Sequence, residues 1–182
     1  MDKLIIYGLG STGKNIISQL LKNKFKIFAI IDNNYKEPEY NNIPVITVSK
    51  LNLIKNKQEI NCLLTLHNHY LNIKKIAYDL KKYNFKNIYT LVNAKKIFSK
   101  INPLIGYWLN LDFRFNDNEI REIINYFKDQ KSKKLLSQIY KYRKFGNIID
   151  MPIPSLNDEY SPKDIPKYKM PLRMIDCGAF NG

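Results

Sequence analysis

The sequence predicts an α/β protein whose N-terminal part is a doubly wound parallel sheet. Three observations carry that expectation. Short apolar runs alternate with amphipathic stretches from residue 4 to about residue 92. The segment Gly8-Leu9-Gly10-Ser11-Thr12-Gly13 lies between the first apolar run and the first amphipathic stretch. An acid, Asp32, closes the second apolar run nineteen residues after Gly13. Strands that alternate with helices build parallel sheets, because each crossover helix covers a sheet face.

Each element follows from its own pattern. Residues 4–8, LIIYG, form a continuous apolar run of the kind that a parallel sheet buries on both faces. In STGKNIISQLLKNK, Ile16, Ile17, Leu20 and Leu21 make one helical stripe. KIFAIID is a second strand, and the Asn-rich NNYKEPEYNN reads as a loop. IPVITVSK is a third strand or extended segment, and NCLLTL is a fourth strand. NIKKIAYDLKKYNF is a helix with Ile73, Ile76, Ala77 and Leu80 inward, and KNIYTLV closes the alternation as a strand.

Beyond about residue 108 the pattern changes. NDNEIREIINYFKD carries Ile120, Ile123, Ile124 and Phe127 at helical spacing, and SKKLLSQIYKYRKFG carries Leu135, Leu136 and Ile139. The second of these helices should stop at Gly146, a residue suited to a left-handed end. Residues 151–171 hold five prolines and read as a lead-in rather than an element, before a strand runs into Asp176. The expected organisation is a sheet domain over 1–105, a helical connector over 106–150, the Pro-rich stretch over 151–171, and the start of a second domain over 172–182.

Composition narrows the class. Of 182 residues, 45% are hydrophobic, enough for a packed core, and no apolar run approaches the roughly 20 residues that span a bilayer. Met1-Asp2-Lys3 leads straight into a strand rather than a signal-peptide region, and Cys62 and Cys177 do not make a disulfide framework, so the cytoplasm is the expected compartment. The net charge of +14 invites a nucleic-acid reading, but only four of the 30 basic residues are Arg, the residue suited to bidentate contact with guanine. Specific nucleic-acid binding is not expected; weak steering of anionic partners is.

The glycine segment has the G-x-G-x-x-G form of a Rossmann-like nucleotide site. Gly8 would make the tight turn, Gly10 would let backbone approach a pyrophosphate, and Gly13 would let helix and sheet pack closely. The helix start offers N–H groups to an anion, and Asp32 stands where an acid binds a ribose hydroxyl. A nucleotide, NAD(P) or nucleotide-sugar is the ligand class this implies. The same glycines also serve a Rossmann-like turn with no ligand, and no catalytic set for hydride transfer follows downstream. His67 and His69, with Asn68 between them, come after the fourth strand at the sheet's carboxyl edge. They read as a hydrogen-bonding pair lining a cleft, or with Asn68 and His69 as caps for the next helix. No metal site is expected, since zinc needs three or four ligands and no His/Cys cluster completes one.

The segment RMIDCGAFNG has the form of an apolar strand, an acid and x-G-x-x-x-G, spelled by Asp176, Gly178 and Gly182. It resembles the first motif of class I methyltransferases that use S-adenosylmethionine, and DCGAFNG more narrowly resembles the FkbM family. DEYSPKDIP at 158–166 is similar to the tyrosine-proline segment that often precedes that motif. LLTLHN at 63–68, Trp108-Leu109 and the helical stretch at 129–147 are similar to features of an N-terminal Rossmann-like domain that many FkbM-like proteins carry. The resemblance implies S-adenosylmethionine bound near Asp176, Gly178, Ala179 and Gly182. It also implies methyl transfer to a hydroxyl oxygen of a glycan or small natural product. Family members continue past the second glycine with an acid, a helix and the rest of the domain. The sequence therefore reads as the N-terminal part of such an enzyme, inactive alone, its acceptor site and any catalytic base beyond residue 182.

Overall fold

A computed structural model describes residues 3–66, 71–98, 101 and 116–153. The first strand, β1 (Lys3–Tyr7), is followed by α1 (Ser11–Lys22) and β2 (Ile27–Ile31). A two-residue strand, β3 (Glu39–Tyr40), turns back into β4 (Ile43–Ile46). Two 3-10 turns, Val48–Leu53 and Lys57–Glu59, lead to β5 (Ile60–Leu64). Then come α2 (Ile73–Lys81), β6 (Asn87–Tyr89) and α3 (Leu91–Ile97). A helical pair, α4 (Asp117–Tyr126) and α5 (Gln130–Phe145), follows, and a 3-10 turn spans Ile148–Asp150.

The six strands form one sheet in the order β3-β4-β2-β1-β5-β6. All neighbours run parallel except β3, which is antiparallel to β4. This is the doubly wound, Rossmann-like arrangement that the alternation predicts. The apolar strands fill the middle: Ile5, Ile6, Ile30, Ile31, Leu63 and Leu64 are all but inaccessible. Burying each such side chain contributes about 1.5–3 kcal/mol before entropy is counted. From α1 the sheet receives Gly13, Ile16, Ile17 and Leu20, and from α2 it receives Ile73, Ala77 and Leu80. Leu21, expected on the α1 stripe, is 37% exposed, and Ile76 is half-buried.

Two elements differ from the pattern read in the sequence. The Asn-rich loop contains β3 and the turn of a hairpin into β4, itself the third strand that IPVITVSK suggests; the turn residues Asn41 and Asn42 have φ of 51° and 59°. Positive φ at both central residues is what a two-residue hairpin turn requires, and Asn tolerates it. In KNIYTLV only Asn87–Tyr89 is strand. Thr90 starts α3 instead, its side chain accepting from the Asn93 N–H while Asn93 reaches back to the Thr90 N–H. That reciprocal pair satisfies two helix-start donors, so the chain turns into a helix two residues before the apolar run ends.

The helical pair forms where its periodicity places it, but with a different inner face. Asn116 and Glu119 make a capping box at the start of α4. Gly146 ends α5 with φ 73°, as expected of a left-handed stop. The buried residues are Ile120 in α4 and Tyr140 and Tyr142 in α5. Leu135, read as inward, is 44% exposed, and Phe127 is 40% exposed. Aromatic bodies at 140 and 142 take the contact instead, Tyr142 within the sheet core and Tyr140 with its hydroxyl on Asp117.

Candidate functional site

The carboxyl ends of β1, β2 and β5 bring together the glycine segment, Asp32 and Thr65. The chain crosses from β1 to β2 on one side of β1 and later returns to place β5 on the other. Ligands of open α/β sheets collect at such a reversal.

Gly8 follows β1 with φ +108° and donates its N–H to the Ile31 carbonyl at 2.8 Å. A side chain there would meet Leu66 at 2.8 Å as well as carry an unfavourable φ. At Gly13 an added Cβ would lie 2.0 Å from the Gly8 carbonyl oxygen, so α1 rests directly on the turn. Gly10 differs. It is exposed, a Cβ there would meet nothing within 4 Å, and it is the N-cap of α1 without any side-chain cap. No acid sits in the first turn of α1. The partial positive charge at this helix start is therefore uncompensated by its own sequence, and space lies in front of it.

Lys14 stands in that first turn. Its ammonium lies 5.9 Å from the Tyr35 ring centre and 5.7 Å from the Tyr40 ring centre. Those rings meet edge to face at 6.2 Å, one from the loop after β2 and one from the hairpin. A cation over two ring faces keeps its charge while being held in place.

Asp32 serves the loop geometry. Its Oδ2 accepts from the Leu9 N–H at 2.7 Å, and its Oδ1 accepts from the N–H groups of Asn34 and Tyr35 at 2.8 and 3.1 Å. The acid thus ties the glycine segment to the end of β2, with lone-pair capacity left on Oδ2 for one further donor. Asn33 likewise accepts from the Val48 N–H, fixing the start of the next turn.

Thr65 escaped the sequence reading of the site. Its buried hydroxyl donates toward the Gly8 carbonyl at 2.7 Å and the Tyr7 carbonyl at 3.0 Å. It pins the glycine turn to β5, and the signal for it was a hydroxyl directly after the apolar run Cys62-Leu63-Leu64. Just before the turn, burial foremost, with smaller effects from Cys62 and Asp32, raises the Tyr7 pKa. Burial pushes the Cys62 thiol up to about 12.

Gly8, Gly10, Gly13 and Asp32 thus come together at one end of the sheet. His67, Asn68 and His69 lie outside the described residues, as do Asp176, Gly178, Ala179 and Gly182. Among the described residues no group of three or more His, Cys, Asp or Glu side chains is placed to hold a metal ion. No helix among them is long and apolar enough to cross a membrane.

Comparison with known proteins agrees with this architecture. A family model described as C2185-like, N-terminal, matches residues 1–89, which end at the last residue of β6. No curated protein matches the chain. Among solved structures, the crystal structure of methyltransferase FkbM from Methylobacillus flagellatus KT is similar, with a TM-score of 0.55 and 16% sequence identity. The likeness covers 78% of this chain and 39% of that one, so this chain spans well under half the length of the protein it matches. At that identity the likeness shows a shared Rossmann-like α/β fold.

Proposed function

We propose that the chain supplies the N-terminal part of an S-adenosylmethionine-dependent methyltransferase of the FkbM kind, which methylates a hydroxyl oxygen of a glycan or small natural product. The observation that carries this reading is the fold likeness to a methyltransferase over 78% of the chain. The segment Asp176-Cys177-Gly178-Ala179-Phe180-Asn181-Gly182, outside the described residues, agrees with it by its strand-acid-glycine form. In this reading the Gly178 and Gly182 backbone lies against the methionine part of the cofactor, and Asp176 holds its amino group. The cofactor supplies an electrophilic methyl group, and the protein supplies alignment, which accounts for much of the acceleration in such displacements.

The test compares residues 1–182 with a chain extended through one further domain. The 182-residue chain should bind S-adenosylmethionine more weakly than about 10 μM, roughly 7 kcal/mol, and transfer no labelled methyl group. The extended chain should bind it, and Asp176→Ala should weaken that binding by at least about tenfold. An extended chain blind to S-adenosylmethionine would sink the reading.

A second reading concerns the glycine segment itself, as a seat for a nucleotide, NAD(P) or nucleotide-sugar. The open space at Gly10, in front of an uncapped helix start with Lys14 beside it, favours an anionic group there. Calorimetry with NAD, NADP and nucleotide-sugars tests it. Gly10→Val should abolish binding of whichever ligand is held, without lowering the thermal midpoint by more than a few degrees, and Lys14→Ala should weaken it. Asp32→Ala is the poorer probe, since it also frees the Leu9 N–H. Absence of binding to all of these ligands would leave the glycines a purely structural turn.

A further inference from the structure

Two strands away from β1, a second recess opens along β6, the strand at the sheet's edge. It is a cavity of about 350 Å³ lined by Asn87 and Tyr89 of β6, Asn93 of α3, and Asn147, Ile148 and Ile149 beyond α5. We infer that this cavity binds a neutral, polyhydroxylated ligand of one or two sugar rings. The inference rests on these lining residues and their partners Asn61, Lys74 and Thr90, and would stand if the methyltransferase reading fell.

Among the described residues the lining carries no charged side chain, although the chain bears a net charge of +14. Lysines are spread over the rest of the sequence, so this recess offers an anion little that the surrounding surface does not. Three carboxamides take the place of charges. Each amide presents a donor and an acceptor at fixed spacing, which is the complement of neighbouring hydroxyl groups.

Their internal bonds leave distinct capacities. Asn87 donates from Nδ2 to Asn61 at 2.9 Å, which leaves its Oδ1 to accept. Asn93 spends its Oδ1 on Thr90, which leaves its Nδ2 to donate. Asn147 is exposed and offers both. β6 pairs with β5 on one side, and among the described residues no strand pairs with the other, so backbone groups on that side add donors and acceptors. Tyr89 and the isoleucines supply apolar surface for ring C–H faces.

The recess is also built before any ligand arrives. Gly146, in its left-handed conformation, donates its N–H to the Tyr142 carbonyl at 2.7 Å. Asn93 lies so close to it that a Cβ on Gly146 would sit 2.7 Å from the Asn93 Nδ2. The Lys74 ammonium donates to the Ile149 carbonyl at 2.5 Å and holds the far wall to α2. A pre-formed cavity of this volume falls at the small end of the range for organic ligands, about 300–1,000 Å³.

The experiment uses the 182-residue chain carrying ¹³C in its isoleucine δ-methyl groups, followed by NMR. The probes are the methyl glycosides of glucose, galactose, mannose and N-acetylglucosamine, with maltose as a two-ring probe. Glucose 6-phosphate and NAD serve as anionic controls. At least one neutral probe should shift the Ile88, Ile148 and Ile149 signals saturably, with a dissociation constant of about 1–10 mM or tighter. Asn147→Leu should weaken that probe by about tenfold or more while leaving the thermal midpoint unchanged. The inference is overturned if no neutral probe gives a saturable shift, or if the shifts fall on isoleucines away from the recess. It is overturned equally if Asn147→Leu binds undiminished, or if the anionic controls occupy the recess as tightly as the neutral sugars.

Discussion

A methyl group placed on Gly13 would lie 2.0 Å from the Gly8 carbonyl oxygen, whereas one placed on Gly10 meets nothing within 4 Å. The motif spells both residues alike, yet one is a packing requirement and the other an opening. Gly13→Ala should therefore cost about 3 kcal/mol through forced separation of helix and turn. Gly10→Ala should cost about 0.5 kcal/mol, the penalty of a poor N-cap. Urea midpoints at constant slope measure both, and equal losses would refute the distinction. Thr65→Val keeps the side-chain volume but removes the hydroxyl from the buried Gly8 carbonyl, an expected loss of about 1–3 kcal/mol. For Cys62 the sign follows from burial. The folded chain keeps the thiol protonated up to about 12, above its ordinary 9.0, so this contribution to stability is intact below the unfolded value and lost as pH rises toward 12. In a Cys177→Ser background, thiol reagent at mildly alkaline pH should find Cys62 inert until denaturant is added; prompt labelling of the folded chain would contradict its place in the core.

At the scale of elements, the helical pair is held by a contact that titrates. Both the Tyr140 hydroxyl and the Lys144 ammonium meet Oδ1 of Asp117, at the start of α4. Hydrogen bonds from Lys144 first and Tyr140 second lower the Asp117 pKa, and the Asp117 bond foremost raises that of Lys144. A lowered carboxylate contributes stability above its unfolded pKa and loses it as pH falls through the folded value. The raised ammonium contributes below its unfolded pKa and loses it as pH rises through the folded value. The clasp is thus complete through the neutral range and open at either extreme. Hydrogen-exchange protection of α4 should hold from pH 7 down to the carboxylate's ordinary 3.8 and fall only below it, and Asp117→Asn should show the low value already at pH 7. Unchanged protection in that variant would show that Ile120 alone docks the helix. The sequence made these helices legible through their apolar spacing, but not this clasp, since Asp117 and Lys144 are 27 positions apart. The β3–β4 hairpin and α3 were hidden for a related reason. A two-residue strand has no period to detect, and the start of α3 is written in the Thr90–Asn93 pair rather than in the apolar run around it. Asn41-Asn42 before Ile43 was the available hairpin signal.

For the molecule as a whole, the parallel sheet was the most legible feature, because strands covered on both faces must be apolar throughout and so stand out from the lysine- and asparagine-rich connections. The glycine segment was legible as a turn, while its fastening by Asp32 and Thr65 needed three strand ends in one place. The same architecture decides what the net charge of +14 does. Several lysines rest over aromatic rings rather than acids: Lys14 over Tyr35 and Tyr40, Lys81 over Tyr78, and Lys82 over Tyr83. Ring contacts hold the stems without cancelling the charges, so the positive field stays available to any polyanion. The chain should then bind heparin, single-stranded DNA and duplex DNA alike at about 50 mM salt, and lose at least about a hundredfold in affinity by about 200 mM. Different DNA sequences should compete equally, because four Arg residues among 30 basic ones leave few bidentate readers of base edges. Fluorescence anisotropy across a salt series with two unrelated duplexes measures both features. A preference for one duplex that survives at the higher salt concentration would mean that base edges are being read, and the charge would have to be reinterpreted as part of a specific nucleic-acid surface.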